Sequence, residues 1–139
     1  VLKVMQSVDA TMPNIIIAAG INDYNTSQVL SDFRTAVQNT LDYALTKTKH
    51  ILVLTPIKRN GWETSRNSQN QLEKDYVDVI IEECEARGIT YANGYGVSLN
   101  PSDTTNKTAF VPDGLHPNAD GHARMARNYL DKFLEAVGA

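Results

Sequence analysis

The sequence predicts an α/β fold, a three-layer α/β/α sandwich around a parallel sheet. Two observations carry this. Short apolar runs at Ile15-Ile16-Ile17-Ala18-Ala19 and Ile51-Leu52-Val53-Leu54, with a short third strand at Ile89-Thr90-Tyr91-Ala92, alternate with longer segments whose apolar residues recur every three or four positions. A continuous apolar strand is the kind covered on both faces, and strands alternating with helices build parallel sheets flanked by helices. The 139 residues fit one domain, residues 1–139.

Taken in order, Leu2, Met5, Val8 and Met12 recur at helical spacing, and Pro13 ends that segment. The first strand follows and Gly20 closes it. A second helix is expected to start near Thr26 or Ser27, either of which can cap it; its apolar positions are Leu30, Phe33, Val37, Leu41 and Leu45. His50 leads into the second strand, which Pro56 stops. A polar loop spans Ile57 to Gln69. The third helix carries Leu72, Tyr76, Val79, Ile80 and Cys84, with Gly88 placed as its C-terminal cap. After the third strand, a loop rich in Gly, Asn and Ser runs from Asn93 to Pro112. Asn118 is the expected N-cap of the last helix, whose stripe is Met125, Tyr129, Phe133 and Val137, with Ala126, Leu130 and Leu134 beside it.

Composition excludes several classes. Net charge is −3, and no basic stripe offers to neutralise phosphates, so nucleic acid is not an expected partner. The longest apolar run falls far short of the ~20 residues of a membrane span. Val1-Leu2-Lys3-Val4 does not read as a signal peptide. The single cysteine, Cys84, has no partner for an internal disulfide or a thiolate metal site, and the family resemblance given below implies no metal or organic cofactor. The chain opens on valine, which points to a natural start further upstream.

Ligand sites in parallel sheets lie at the carboxyl ends of the strands. Three segments fall there: Gly20-Ile21-Asn22-Asp23, Pro56 to Trp62, and the loop with Asp113-Gly114-Leu115-His116-Pro117. A carboxylate three residues before a histidine can bond its Nδ1–H across a tight turn, leaving Nε2 free to take a proton from a nucleophile. The same four residues also suit a plain surface turn. Gly20 permits a sharp turn at the strand end, and an Asn22 side-chain amide there can donate to a developing oxyanion. That segment also suits an ordinary strand-to-helix connection.

Together the two motifs are more specific. Pro13-Asn14-Ile15-Ile16-Ile17-Ala18-Ala19-Gly20-Ile21-Asn22-Asp23 resembles the third sequence block of the SGNH hydrolases, the GDSL-like lipases and esterases, and Asp113-Gly114-Leu115-His116-Pro117-Asn118-Ala119-Asp120-Gly121-His122 resembles the fifth. The resemblance implies a flavodoxin-like SGNH fold lacking its first strands. It implies serine acyl transfer, and the short Gly, Asn and Ser side chains near the site point to an open cleft for small acyl or acetylated-carbohydrate esters. Asn22 is then an oxyanion donor, Gly20 shapes the oxyanion loop, His116 is general base and then acid, and Asp113 orients His116. Asp23 is expected to be a structural acceptor.

The resemblance also implies a Gly-Asp-Ser block upstream, and none of the nineteen residues before Gly20 reads so. Ser7 lies inside the apparent first helix. The nucleophilic serine is therefore expected from a missing N-terminal segment, without which this chain should be inactive. Arg59, Asn60 and Trp62 are candidate substrate contacts. Tyr91, Tyr95 and Phe110 are candidate cover for the site, and His50 reads as a polar boundary residue; His122, in the first turns of the last helix, could approach the site, with a solvated or helix-packing role favoured. A module that keeps the fold for binding or structure, without catalysis, is the competing reading. A nucleotide-binding reading finds no G-x-G-x-x-G or P-loop.

Overall fold

A computed structural model describes residues 12–59, 64–95 and 110–138. Three short strands, β1 (Ile15–Ala18), β2 (Ile51–Leu54) and β3 (Thr90–Ala92), form one parallel sheet in the order β1-β2-β3. Ile15 pairs with Ile51 and Ala18 with Leu54, and Leu52 pairs with Thr90. The helices are α1 (Ile21–Asn25), α2 (Leu30–Leu45), α3 (Glu73–Arg87) and α4 (Ala119–Val137).

One sheet face builds the core. Ile15, Ile17, Ile51 and Val53 pack with Phe33, Leu41 and Ala44 of α2 and with Tyr76, Val79, Ile80 and Cys84 of α3. Tyr76 sits at the centre, edge-on to Tyr24 of α1 with ring centroids 5.8 Å apart and tilted against Phe33 at 5.1 Å. On the other face α4 covers β2 and β3. Leu52 is accordingly buried, but its β1 neighbour Ile16 is 56% exposed. The expectation that β1 is covered on both faces is thus corrected. Its burial alternates, because α4 does not reach across to the edge strand. Leu130 and Leu134 of α4 are exposed as well.

The caps refine the helix boundaries. Gly88 ends α3 in the left-handed region, with φ 63°, as expected for a glycine cap. The Asn118 side chain accepts a bond from the Gly121 amide at 2.9 Å and starts α4. The expected start of α2 at Thr26 or Ser27 is wrong. Thr26 instead terminates α1, its hydroxyl donating to the Asn22 carbonyl at 2.9 Å, and Ser27 is left-handed with φ 55°. Val29 is the N-cap of α2. The helix expected in the first dozen residues lies outside the described residues except for Met12, which packs against the core.

Charge clamps α2 to α3. Glu83, on α3, accepts Arg34 at 2.7 Å, Gln38 at 3.1 Å and Arg87 at 2.7 Å. Arg87 also reaches Asp42 at 2.6 Å. Burial pushes the Glu83 carboxyl up, but the bonds from Arg34, Arg87 and Gln38 outweigh burial and hold it below the usual range. Removing one member of such a buried pair leaves uncompensated charge. Glu83→Ala should therefore destabilise the protein by about 2 kcal/mol, the value being reduced for the exposed side of Arg34. Urea unfolding checks this, and a change near zero would contradict the clamp.

Candidate active site

The parallel register brings three chain segments to one edge of the sheet. After β1 the chain turns at Gly20, where φ is 112°, and enters α1 at once. A Cβ at Gly20 would sit 2.9 Å from Ile80 Cδ1 and 3.2 Å from Pro56 Cγ. Only glycine combines that backbone with that packing. The expected oxyanion loop is in fact the first turn of a short helix, with Asn22 exposed on it. Asp23 lies elsewhere, against a second cavity of about 330 Å³ on the α2 side of the sheet.

The second segment contributes Thr55, Pro56 and Ile57 directly after β2. The third begins at Val111, whose carbonyl accepts the Gly114 amide at 2.9 Å and closes a turn. Inside that turn Asp113 Oδ1 accepts the backbone amides of Leu115 at 2.9 Å and His116 at 2.7 Å. Asp113 Oδ2 lies 2.6 Å from His116 Nδ1. The carboxylate thus fixes both the turn and the ring. These bonds, first from the His116 amide, then from its ring, then from the Leu115 amide, hold the Asp113 carboxyl well below the usual carboxylate range. Nδ1–H bonded to Asp113 leaves Nε2 as the acceptor.

Asn22 and His116 line the same cleft, of about 270 Å³, with Ala18 and Leu54 at its floor and Met125 and Tyr129 of α4 along its side. His116 is 76% exposed at the side chain. His122, for which the sequence favoured a solvated or helix-packing role over an approach to the site, also lines the cleft, one turn into α4. Among the described residues no serine lines it. Its one hydroxyl besides Tyr129, on Thr55, is buried and engaged with Pro56, Asn93 and Tyr95. Cys84 is no nucleophile, because burial pushes its thiol up to about 12. Among the described residues no cluster of His, Cys, Asp or Glu could hold a metal, and no helix is long and apolar enough to cross a membrane.

The other sequence candidates fall elsewhere. Asn60 and Trp62 lie outside the described residues. Arg59 does not line the cleft; its guanidinium stacks over the Tyr24 ring at 4.4 Å and donates to Asn25 Oδ1 at 2.7 Å. Its Nε lies 3.6 Å from Glu73 Oε2. Tyr91 packs on the core and bonds Glu85 at 2.8 Å. Tyr95 is buried under Lys58, and Phe110 lies under Arg124. None of these three lines the cleft. His50 is tied to the end of α4, with its Nδ1 3.1 Å from the Ala136 carbonyl. The sequence placed Met125 and Tyr129 only on the apolar stripe of the last helix. Their spacing on α4 gave no sign that the stripe continues past the sheet edge into the cleft.

The sequence profile of the GDSL-like lipase/acylhydrolase family matches residues 2–124. No curated protein sequence matches the chain. Among solved structures, a protein from Lactobacillus plantarum aligns over 94% of this chain and 70% of its own, with 22% identity and a TM-score of 0.80. A catalytic mutant of an acetylxylan esterase from Geobacillus stearothermophilus aligns over 99% of this chain and 66% of its own, with 20% identity and a TM-score of 0.75. A salicylyl-acyltransferase from a tetracycline biosynthetic pathway aligns over 99% and 41%, with 17% identity and a TM-score of 0.73. These likenesses establish the fold: a parallel sheet flanked by helices, in the arrangement of this family.

Glu73 offers a test of the site's surroundings. It is 1% exposed, and burial lifts its carboxyl to about 7 despite the Arg59 guanidinium beside it. The folded value exceeds the unfolded value of 4.5, so the ionised form destabilises the fold. The penalty is absent below the unfolded value, grows with rising pH, and is complete above about 7, where it amounts to about 3 kcal/mol. Glu73→Gln should remove this slope. Relative to the variant, the parent should lose about 2 kcal/mol between pH 5 and pH 8 in urea unfolding. Parallel pH profiles would show that Glu73 is not buried as described.

Proposed function

Because the chain belongs to the GDSL-like lipase/acylhydrolase family, we propose that it is the base-bearing part of a serine esterase acting on small acyl esters, acetylated carbohydrates among them. The observation that carries this is the joint lining of one cleft by Asn22 and His116, with His116 fixed to Asp113 at 2.6 Å. The acetylxylan substrate named for the Geobacillus structure and the modest cleft volume support a short acyl group.

In this reading a serine Oγ attacks the ester carbonyl while His116 Nε2 takes its proton. The Asn22 side-chain amide donates to the oxyanion that forms. Asp113 keeps the ring oriented and stabilises the imidazolium. As the intermediate collapses, the bond to the alcohol breaks and His116 returns the proton to the departing oxygen. Water then attacks the acyl-serine by the same route, releasing the acid. The serine comes from a segment beyond these 139 residues. The outer edge of β1, unpaired among the described residues, with exposed Ile16 and the exposed Leu130 and Leu134, fits a segment that pairs with β1 and packs against that face. The chain's span of 66% to 70% of two structural neighbours agrees with this.

A second reading, a binding module of the same fold, is favoured by one observation: no serine lines the cleft among the described residues. Hydrolysis of a chromogenic acetyl ester separates the two. The 139-residue chain should be inactive, and activity should appear with the upstream segment restored. There His116→Ala should lower kcat about 1,000-fold or more and Asp113→Asn about 100-fold or more. Asn22→Ala should cost about 100-fold. An inert restored protein supports the binding module, and activity that survives His116→Ala overturns the mechanism.

A further inference from the structure

We infer that Arg59 is a positioning residue for the oxyanion donor, holding α1 in place through Asn25 and Tyr24 while Glu73 holds Arg59. The inference rests on the reading of Asn22 given above. A helix of five residues is too short to be stable by itself. The outer side of α1 therefore depends on what grips it. Tyr24, its buried residue, is held from the core side by Tyr76, and its hydroxyl donates to the Ser65 carbonyl at 2.8 Å. Asn67 Nδ2 donates to the Tyr24 carbonyl at 3.2 Å.

Arg59 closes the remaining side. Its guanidinium lies 4.4 Å from the centre of the Tyr24 ring and donates to Asn25 Oδ1 at 2.7 Å. Asn25 is three residues from Asn22, one turn along the same helix, and both line the cleft. A planar fork suits this double task, one face on a ring and one edge on an amide. The third side of the guanidinium meets Glu73, at 3.6 Å from Nε. Among the described residues Arg59 Nε has no hydrogen bond within ordinary geometry, and the Glu73 carboxyl faces the Arg59 backbone amide as well as its guanidinium. The carboxylate therefore acts on Arg59 as a buried counter-charge set at the first turn of α3. Removing Arg59 leaves α1 free to shift toward the side that the guanidinium closed, away from Tyr76. A displacement of about 1 Å at a group aimed at the transition state costs about 100-fold.

The test uses the full natural chain that carries the serine, with acetyl-ester kinetics for Arg59→Met, Asn22→Ala and the double variant. Arg59→Met keeps the stem over Tyr24 and loses the fork. It should lower kcat about 10-fold or more while KM stays within about threefold. In the Asn22→Ala background it should add less than about twofold, because its effect passes through Asn22. An unchanged kcat overturns the inference. So does an equal loss in both backgrounds, which would make Arg59 a general stabiliser. If Asn22→Ala itself leaves kcat unchanged, the oxyanion reading falls and this inference falls with it. Should Arg59→Met fail to fold, Asn25→Ala severs the same bond from the exposed side. It should lower kcat several-fold, with the same loss of effect when Asn22 is absent.

Discussion

The same-direction pairing of three short strands is the constraint on which the site depends. Ile15 to Ala18 runs beside Ile51 to Leu54, and both end on the same edge. The chain leaving each strand therefore starts at nearly the same height. Gly20 turns the first exit into α1, Pro56 packs against that turn, and the third exit leads on toward Asp113. The cleft residues of the first two exits lie within a few positions of their strand ends, whereas Leu115, His116 and Pro117 return to the edge more than twenty residues after β3, just ahead of α4. That helix packs on β2 and β3 and adds His122, Met125 and Tyr129.

Two carboxylates near this edge behave in opposite ways, and their surroundings explain why. Asp113 is exposed and accepts three N–H groups, so its charge is stabilised. Glu73 is enclosed and meets one guanidinium across 3.6 Å, so its charge is penalised. The first arrangement suits a group that must stay anionic beside a histidine. The second is tolerated because the Arg59–Glu73 contact fixes the segment after β2 against α1 and α3. A buried pair of this kind adds little net stability but defines one geometry.

What the sequence discloses is governed by range. Local devices were readable: the glycine cap at Gly88, the Asn118 cap, and the three-residue step from Asp113 to His116. Each is satisfied within a few residues of itself. Features settled by distant partners were not. Five residues with a single buried member, Tyr24, leave no periodic signature, so α1 passed for a turn and the residues just after it, Thr26 and Ser27, for the cap of α2. The apolar run of β1 cannot reveal whether α4 extends over the edge strand, and it does not. Arg59 looked like a substrate contact because it follows a strand end. Its partners Asn25 and Glu73 come from separate elements and could be found only in three dimensions.

The central claim is that Asn22 and the Asp113–His116 pair act on one reacting carbon. Its most direct measurement is a crystal structure of the natural full chain after reaction with a small alkyl fluorophosphonate, which forms a tetrahedral adduct on an activated serine. The account predicts one labelled serine beside the outer edge of β1, with the phosphonyl oxygen about 3 Å from the Asn22 amide and His116 Nε2 facing the serine oxygen. An adduct formed elsewhere, or one whose oxygen points away from Asn22 and His116, would contradict it.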